Sequence, residues 1–303
     1  MSLQFFWRSL RQRRDLRGSL IKHAGATIKY TLRSARAAGR HRAWLDFLYG
    51  TPLLSALTAY DPRLIDRAQH PYINRRLSLT ARYAVITDHY QMVLSTLAPE
   101  LREAVYLGGR YRLGTLRLKD ASELAIELRR PTGRGREGEL CLCLADTQGQ
   151  PLSSMIFSIA DGGHTMLLGC VQGATAALGR EAVRELTRQC HGLRPKNLLL
   201  SLLRAFAKRY DITRIRGVAN AAHPFAGQAD KIKADYDSFW QECGGVLDES
   251  GFYELSAAEP ERDEMLVASK HRSAFRQREA LRRQACVILL DGLDHHYDQA
   301  QAA

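Results

Sequence analysis

Two groups of residues in this sequence have types and spacings that could do chemistry. The first lies in LTRQCHGLRPKNLLL, where Gly192, Arg194 and Lys196 stand just before and within the first turn of an expected helix. A helix N-terminus presents free N–H groups and a partial positive charge. A glycine for close approach and two added cations would suit a phosphate or pyrophosphate there. The competing reading is a pair of solvated cations beside a helix that is simply core, since Arg194 is a poor N-cap and Pro195 supplies no N–H. The second group is Asn220 and His223 in GVANAAHPF, with Tyr236 and Asp237 in YDSFW. Asn220 and His223 fall just past an expected strand end, a usual place for ligands in α/β sheets. His223 as base and Tyr236 as acid would form a proton-transfer pair, with Asn220 beside them. The alternative is that Asn220 and His223 shape a turn before Pro224, while Tyr236, Phe239 and Trp240 are core.

The elements that position these groups are legible. Pro195 suits the first turn of a helix. Leu199, Leu202, Leu203, Phe206 and Tyr210 then keep one helical face, and Lys208 and Arg209 complement the dipole at its end. Thr213 to Ala219 reads as a strand, with Ile215 and Gly217 on one face and Arg214 and Arg216 on the other. Arg180 to Cys190 is expected as a helix upstream. Lys231 to Glu242 is expected as another downstream, ended by Gly244-Gly245.

Earlier in the chain, Trp44 to Leu57 reads as a helix, and Leu77 to Leu97 as a longer one ended by Pro99, with His89 a core residue. From Tyr111 the apolar period changes to two. Tyr111 to Leu118, Leu124 to Leu128, Glu139 to Ala145, Met155 to Ile159 and His164 to Gly173 are strand candidates, the second also fitting a short helix, with turns at Thr147–Gln150 and Asp161–Gly163. Val246 to Leu255 reads as a strand or hairpin, and Ser269 to Arg283 as a basic helix. The order predicts an α+β fold behind a helical lobe. It divides into a basic arm at 1–44, a helical lobe at 45–110, an α+β domain at 111–290 and a tail at 291–303.

Of 303 residues, 45% are hydrophobic and 25% charged, enough for a sizeable core. The net charge of +12 is unevenly placed: residues 1–44 hold 11 of the 44 Lys and Arg but one of the 32 Asp and Glu. The body is nearly neutral, so composition requires no nucleic-acid surface on it. The six cysteines form no CxxC pair, so neither zinc nor a disulfide framework is expected, and a reducing cytoplasmic setting fits. No Ser-His-Asp set, metal motif or P-loop reads from spacing. No apolar run approaches the ~20 residues of a membrane span, and none reads as a signal-peptide core. Leu3, Phe6, Trp7 and Leu10 fall on one helical side ahead of RQRRDLR. This predicts that residues 1–20 lie on an anionic membrane surface. A nucleic-acid-binding tail and an organelle transit peptide are the alternatives.

Several phrases together resemble the VirK/YbjX family of bacterial proteins: HPYINRRLSLTARYAVITDHY, KNLLLSLLRAFA followed by GVANAAH, YDSFWQECGG, GFYEL and SKHRSAFRQREAL. The resemblance runs through roughly residues 45 to 290. It implies an association with virulence and the cell envelope, with no assigned reaction, and a cytoplasmic protein or one held peripherally on the inner membrane. More loosely, the hairpins, basic loop, helix, strand and GFYEL resemble the N-acetyltransferase superfamily. There a Q/R-x-x-G-x-G/A loop holds the coenzyme A pyrophosphate, and Gln189, Gly192 and Arg194 take that spacing. Arg194 replaces a small residue, and an extra helix intervenes. The resemblance implies an acetyltransferase-like mixed sheet with flanking helices, coenzyme A or acyl-coenzyme A as ligand, and His223 and Tyr236 as base and acid of acyl transfer.

Overall fold

The computed structural model describes residues 3–12, 20–133, 135–173, 179–228 and 234–301. Helices come first: α1 (Leu3–Gln12), α2 (Leu20–Arg36), α3 (Ala38–Gly50), α4 (Pro52–Tyr60), α5 (Leu79–Thr96) and α6 (Pro99–Tyr106). The single helix expected at Trp44–Leu57 is two. Pro52 biases the residue before it away from helical angles, and Thr51 is extended at φ −103°, ψ 116°. Ser78 caps α5 by accepting from the Ala81 amide at 3.2 Å. Pro99 does not merely end α5; it opens α6 at the first-turn position where its missing N–H costs nothing.

One mixed sheet follows. Its strands are β1 (Arg110–Arg117), β2 (Glu123–Arg129), β3 (Leu140–Ala145), β4 (Pro151–Ala160), β5 (Thr165–Gln172), β6 (Arg214–Val218), β7 (Val246–Leu247) and β8 (Phe252–Leu255), in the order β1-β2-β3-β4-β5-β6-β8-β7. All neighbours are antiparallel except β5 and β6. The crossover between those two carries α7 (Gly179–Gln189) and α8 (Pro195–Arg209), because parallel strands need a long connection. Short α9 (Tyr236–Glu242) and long α10 (Arg272–Gln301) complete the chain. The architecture is α+β, helices preceding a mixed sheet.

The alternation of β2–β4 sorts side chains into two faces. Leu124, Ile126, Leu128, Leu140, Leu142, Leu144, Met155, Phe157 and Ile159 are buried in the main core. There Phe157 meets Phe206 of α8 edge-on at 5.6 Å, and Gly114 of β1 leaves room for Ile288 of α10. Residues between them, including Ala125, Cys141 and Cys143, form a second, smaller cluster with Cys170 of β5. Helix α9 begins at Tyr236 rather than Lys231, of which 231–233 lie outside the described residues. Asp235 sets the start, accepting from the Ser238 amide at 3.1 Å. Helix α10 runs well beyond the expected Arg283. Its Arg-rich start hides an apolar line of Phe275, Leu281, Ala285, Leu289 and Leu293, all buried.

Candidate functional site

Strands β5 and β6 pair from Thr165–Arg214 to Leu168–Gly217; β6 then ends at Val218, while β5 stays paired with β4 as far as Gln172. Two of the residues singled out above, His223 and Tyr236, lie against the stretch of β5 beyond that pairing. His223, buried completely, directs Nε2 at the Gly169 carbonyl (3.1 Å) and at Glu137 Oε1 (3.3 Å). Its Nδ1 accepts from the Phe225 amide at 3.2 Å, so this network assigns the proton to Nε2. Tyr236 stands beside it, ring centroids 5.4 Å apart, and its hydroxyl donates to Cys170 Sγ at 3.4 Å. Burial first, then the neighbouring Cys170 and Glu137, pushes the Tyr236 pKa far above that of a free phenol. Burial likewise raises the Cys170 thiol, so it is no ready thiolate. A bulge falls at Gly169, where a Cβ would overlap the Glu137 carbonyl.

Asn220 ties the end of β6 to the start of α9. Its side chain accepts from the Tyr236 amide (3.1 Å) and donates to Asp235 Oδ1 (3.1 Å), and its own amide donates to Asp237 (2.9 Å). Trp240 donates from Nε1 to the Val218 carbonyl at 3.0 Å and lies over Gly217, where no Cβ would fit.

Gly192 sits at the end of α7. Its amide reaches back to Thr187 O (2.8 Å), and that of His191 reaches Arg188 O (3.2 Å), with His191 in the left-handed region. This is a Schellman helix end. Arg194 precedes α8, and the Asn197 and Leu198 amides both turn onto its carbonyl. Its guanidinium pairs with Glu242 at 3.0 Å. Lys196 lies 5.4 Å from the Phe239 ring centre. Partial burial and then Arg194 lower its pKa, opposed by Glu242 and Asp235. Arg278 of α10 also reaches this loop, its Nη1 3.8 Å from where a Gly192 Cβ would be. Helix α9 therefore brings the two sequence-derived groups into one neighbourhood: Lys196 meets its Phe239, Arg194 its Glu242 and Asn220 its start, and Tyr236 belongs to it.

A second polar centre was not anticipated. Arg67, 4% exposed, donates to Glu139 and to Asp61. The Tyr90 hydroxyl donates to Glu139 at 2.7 Å, and the Glu139 amide to Ser158 Oγ at 3.0 Å, which also meets Tyr72 OH at 2.7 Å. Burial alone would lower the Arg67 pKa, but Glu139, Asp61 and Tyr90 outweigh it and hold it well above the usual guanidinium value. The space there is about 10 Å³, room for at most one water, so this network joins lobe to sheet rather than holding a ligand. His89, next to it, accepts from the Ile159 amide (3.2 Å) and contacts Tyr106 OH (2.8 Å). Burial, with Arg67 nearby, drops its pKa to about 3. Among the described residues no three His, Cys, Asp or Glu side chains converge as metal ligands would.

The mixed sheet with one parallel pair, preceded by helices, defines the class as α+β. Residues 20–285 match the family described as "Protein of unknown function (DUF535)". The chain belongs to that family, and with it to the VirK/YbjX group. It is 29% identical over 258 residues to "Uncharacterized protein YbjX" of Escherichia coli (strain K12), covering 82% of this chain and 78% of that one. It is 24% identical over 188 residues to "Membrane protein LapB" of Mannheimia haemolytica, covering 60% of this chain and 78% of the relative. An uncharacterized protein of Haemophilus influenzae is 29% identical over 136 residues, 44% of this chain and 46% of its own length.

Proposed function

We propose that this DUF535 member works at the bacterial cell envelope, the setting the VirK/YbjX resemblance implies together with virulence, and that it is held peripherally on a membrane by its cationic N-terminal helices. The observation that carries this reading is the placement of charge: eleven cations and one acid lie in residues 1–44. On α1, Trp7 is 59% exposed beside exposed Arg8 and Arg11, and these three line an open groove of about 640 Å³ with Thr58, Ala59 and Pro62. Phe5, Phe6 and Leu10 pack against the lobe; the Leu3 side chain and Arg13, Arg14 and Arg17 lie outside the described residues. No described helix is long and apolar enough to cross a membrane. The relative named as a membrane protein supports an envelope setting. Each cation near an anionic surface contributes about 1 kcal/mol. Full-length protein is expected to pellet with anionic vesicles, less so in high salt, and to be released by deleting residues 1–20. Equal binding to neutral vesicles refutes the reading, and salt-sensitive binding to nucleic acid alone would replace it.

A second reading gives the α+β domain an acetyltransferase-like role with coenzyme A or acyl-coenzyme A. It is favoured by the end of β5–β6 pairing at Leu168–Gly217 beside His223 and by three cations, Arg194, Lys196 and Arg278, around the Gly192 loop. In that reading His223 is the base, Tyr236 the acid and Asn220 the residue that holds them. Nδ1 of His223 takes a proton only once the Phe225 amide lets go. Calorimetry with coenzyme A and acetyl-coenzyme A tests it. Absent binding, or binding unchanged in Arg194→Ala/Lys196→Ala, removes it.

A further inference from the structure

We propose that the outward face of α2 is a lipid-contact surface: a ridge of Ile28, Leu32 and Ala35, flanked by Lys29 and Arg36, that seats in the interface of an anionic bilayer. This rests on the peripheral reading above and adds a second contact to that of residues 1–20.

Helix α2 has two different sides. The inner one is spent on the lobe. Tyr30 (2% exposed), Ser34 and Ala37, which just follows the helix, are buried. The Tyr30 hydroxyl meets Ser9 Oγ at 2.6 Å and His41 Nε2 at 2.9 Å, and Phe6 stacks on its ring at 5.7 Å. The outer side is different. Ile28 is 58% and Leu32 61% exposed, one turn apart on the same face, with exposed Ala35 continuing the line. Single exposed aliphatics need no explanation, but an apolar ridge one side chain wide and three long, with cations along it, does. Lys29 and Arg36 are both exposed and lie together on one flank of that ridge, and α2 contains no acidic residue. Apolar ridge plus cationic flank is the pattern of a helix lying in a membrane interface. Helix α1 offers less, since Phe5, Phe6 and Leu10 already pack inward.

Charge selects the occupant. A second copy docked on this ridge would bring the Lys29 and Arg36 flanks of both chains together, and like charges oppose that. An anionic lipid surface is complementary to them and accepts the aliphatics at the acyl boundary.

The test uses full-length protein with vesicles of phosphatidylcholine alone and of phosphatidylcholine mixed with phosphatidylglycerol. The parent is expected to bind only the mixed vesicles. Ile28→Asn/Leu32→Asn lowers that binding by about tenfold or more, with circular dichroism and thermal midpoint unchanged because both side chains face solvent. The milder Ile28→Ala/Leu32→Ala moves it in the same direction, and Lys29→Gln/Arg36→Gln weakens the salt dependence. Parent-like binding by both aliphatic double variants overturns the α2 surface while leaving the peripheral reading intact. A parent that binds neither vesicle overturns both.

Discussion

His223 Nε2 donates to the Gly169 carbonyl at 3.1 Å, one residue beyond the last pair between β5 and β6. A carbonyl that the parallel ladder has abandoned is thus satisfied by a side chain from the turn after β6. The same ring accepts the Phe225 amide, so one buried imidazole closes two backbone groups.

Replacing His223 by Ala therefore has a structural cost. Two buried backbone groups lose their partner, and stability is expected to fall by about 2–4 kcal/mol in urea unfolding. Tyr236→Phe removes the O–H···S contact to Cys170 and the hydroxyl's contact with the Val171 backbone, and is expected to cost about 1 kcal/mol. It is the cleaner probe of chemistry: under the acyl-transfer reading, turnover falls about a hundredfold while the unfolding midpoint barely moves.

Gly169→Ala drives a Cβ into the Glu137 carbonyl. Either the bulge flattens or the 135–139 loop lifts off the sheet, at about 1–3 kcal/mol. Equal chemical-denaturation midpoints for parent and variant would show that the loop adjusts freely.

The Arg67–Glu139 pair should behave asymmetrically. Arg67→Met leaves the Glu139 carboxylate buried without its cation and is expected to cost about 3–5 kcal/mol. Removing both charges in Arg67→Met/Glu139→Leu should recover much of that loss, because neither desolvation penalty remains. A double variant worse than the single one by urea titration would contradict this account.

Two buried histidines make stability depend on pH. The pKa falls to about 3 for His89, by burial with Arg67 nearby, and to about 4 for His41, by burial opposed by Asp66. Both lie below the unfolded value of about 6.5, so below that pH the unfolded chain binds the extra protons. Their contribution is fully present above pH ~6.5 and is lost as pH falls towards 4 and then 3. Where both act, the slope is roughly 1.4 kcal/mol per pH unit for each. His89→Gln keeps an acceptor for the Ile159 amide and should reduce the slope by about half; an unchanged slope would assign it elsewhere.

Residue order alone is legible as far as local periodicity reaches. The spacing of Leu199, Leu202, Leu203 and Phe206 dictates α8, because an apolar stripe at that period buries itself only as a helix. The alternation of Leu140, Leu142 and Leu144 with Cys141 and Cys143 dictates a strand with two buried faces. Proline signals were legible too, but Pro52 and Pro99 each open a helix, and a proline that starts one resembles a proline that stops another. Contacts between distant segments settle the rest. Arg67 and Glu139 are 72 residues apart, and no spacing announces that a lobe cation will meet a sheet carboxylate. Arg278 joins Arg194 and Lys196 at the Gly192 loop only because α10 runs alongside α8. Whether Ile28 and Leu32 face core or solvent was equally undecided, since α2 is apolar on both sides and its inner side is chosen by what Tyr30 can reach: Ser9, His41 and the ring of Phe6. Long-range pairing is set by the energy of the whole packed chain, which short-range pattern does not encode.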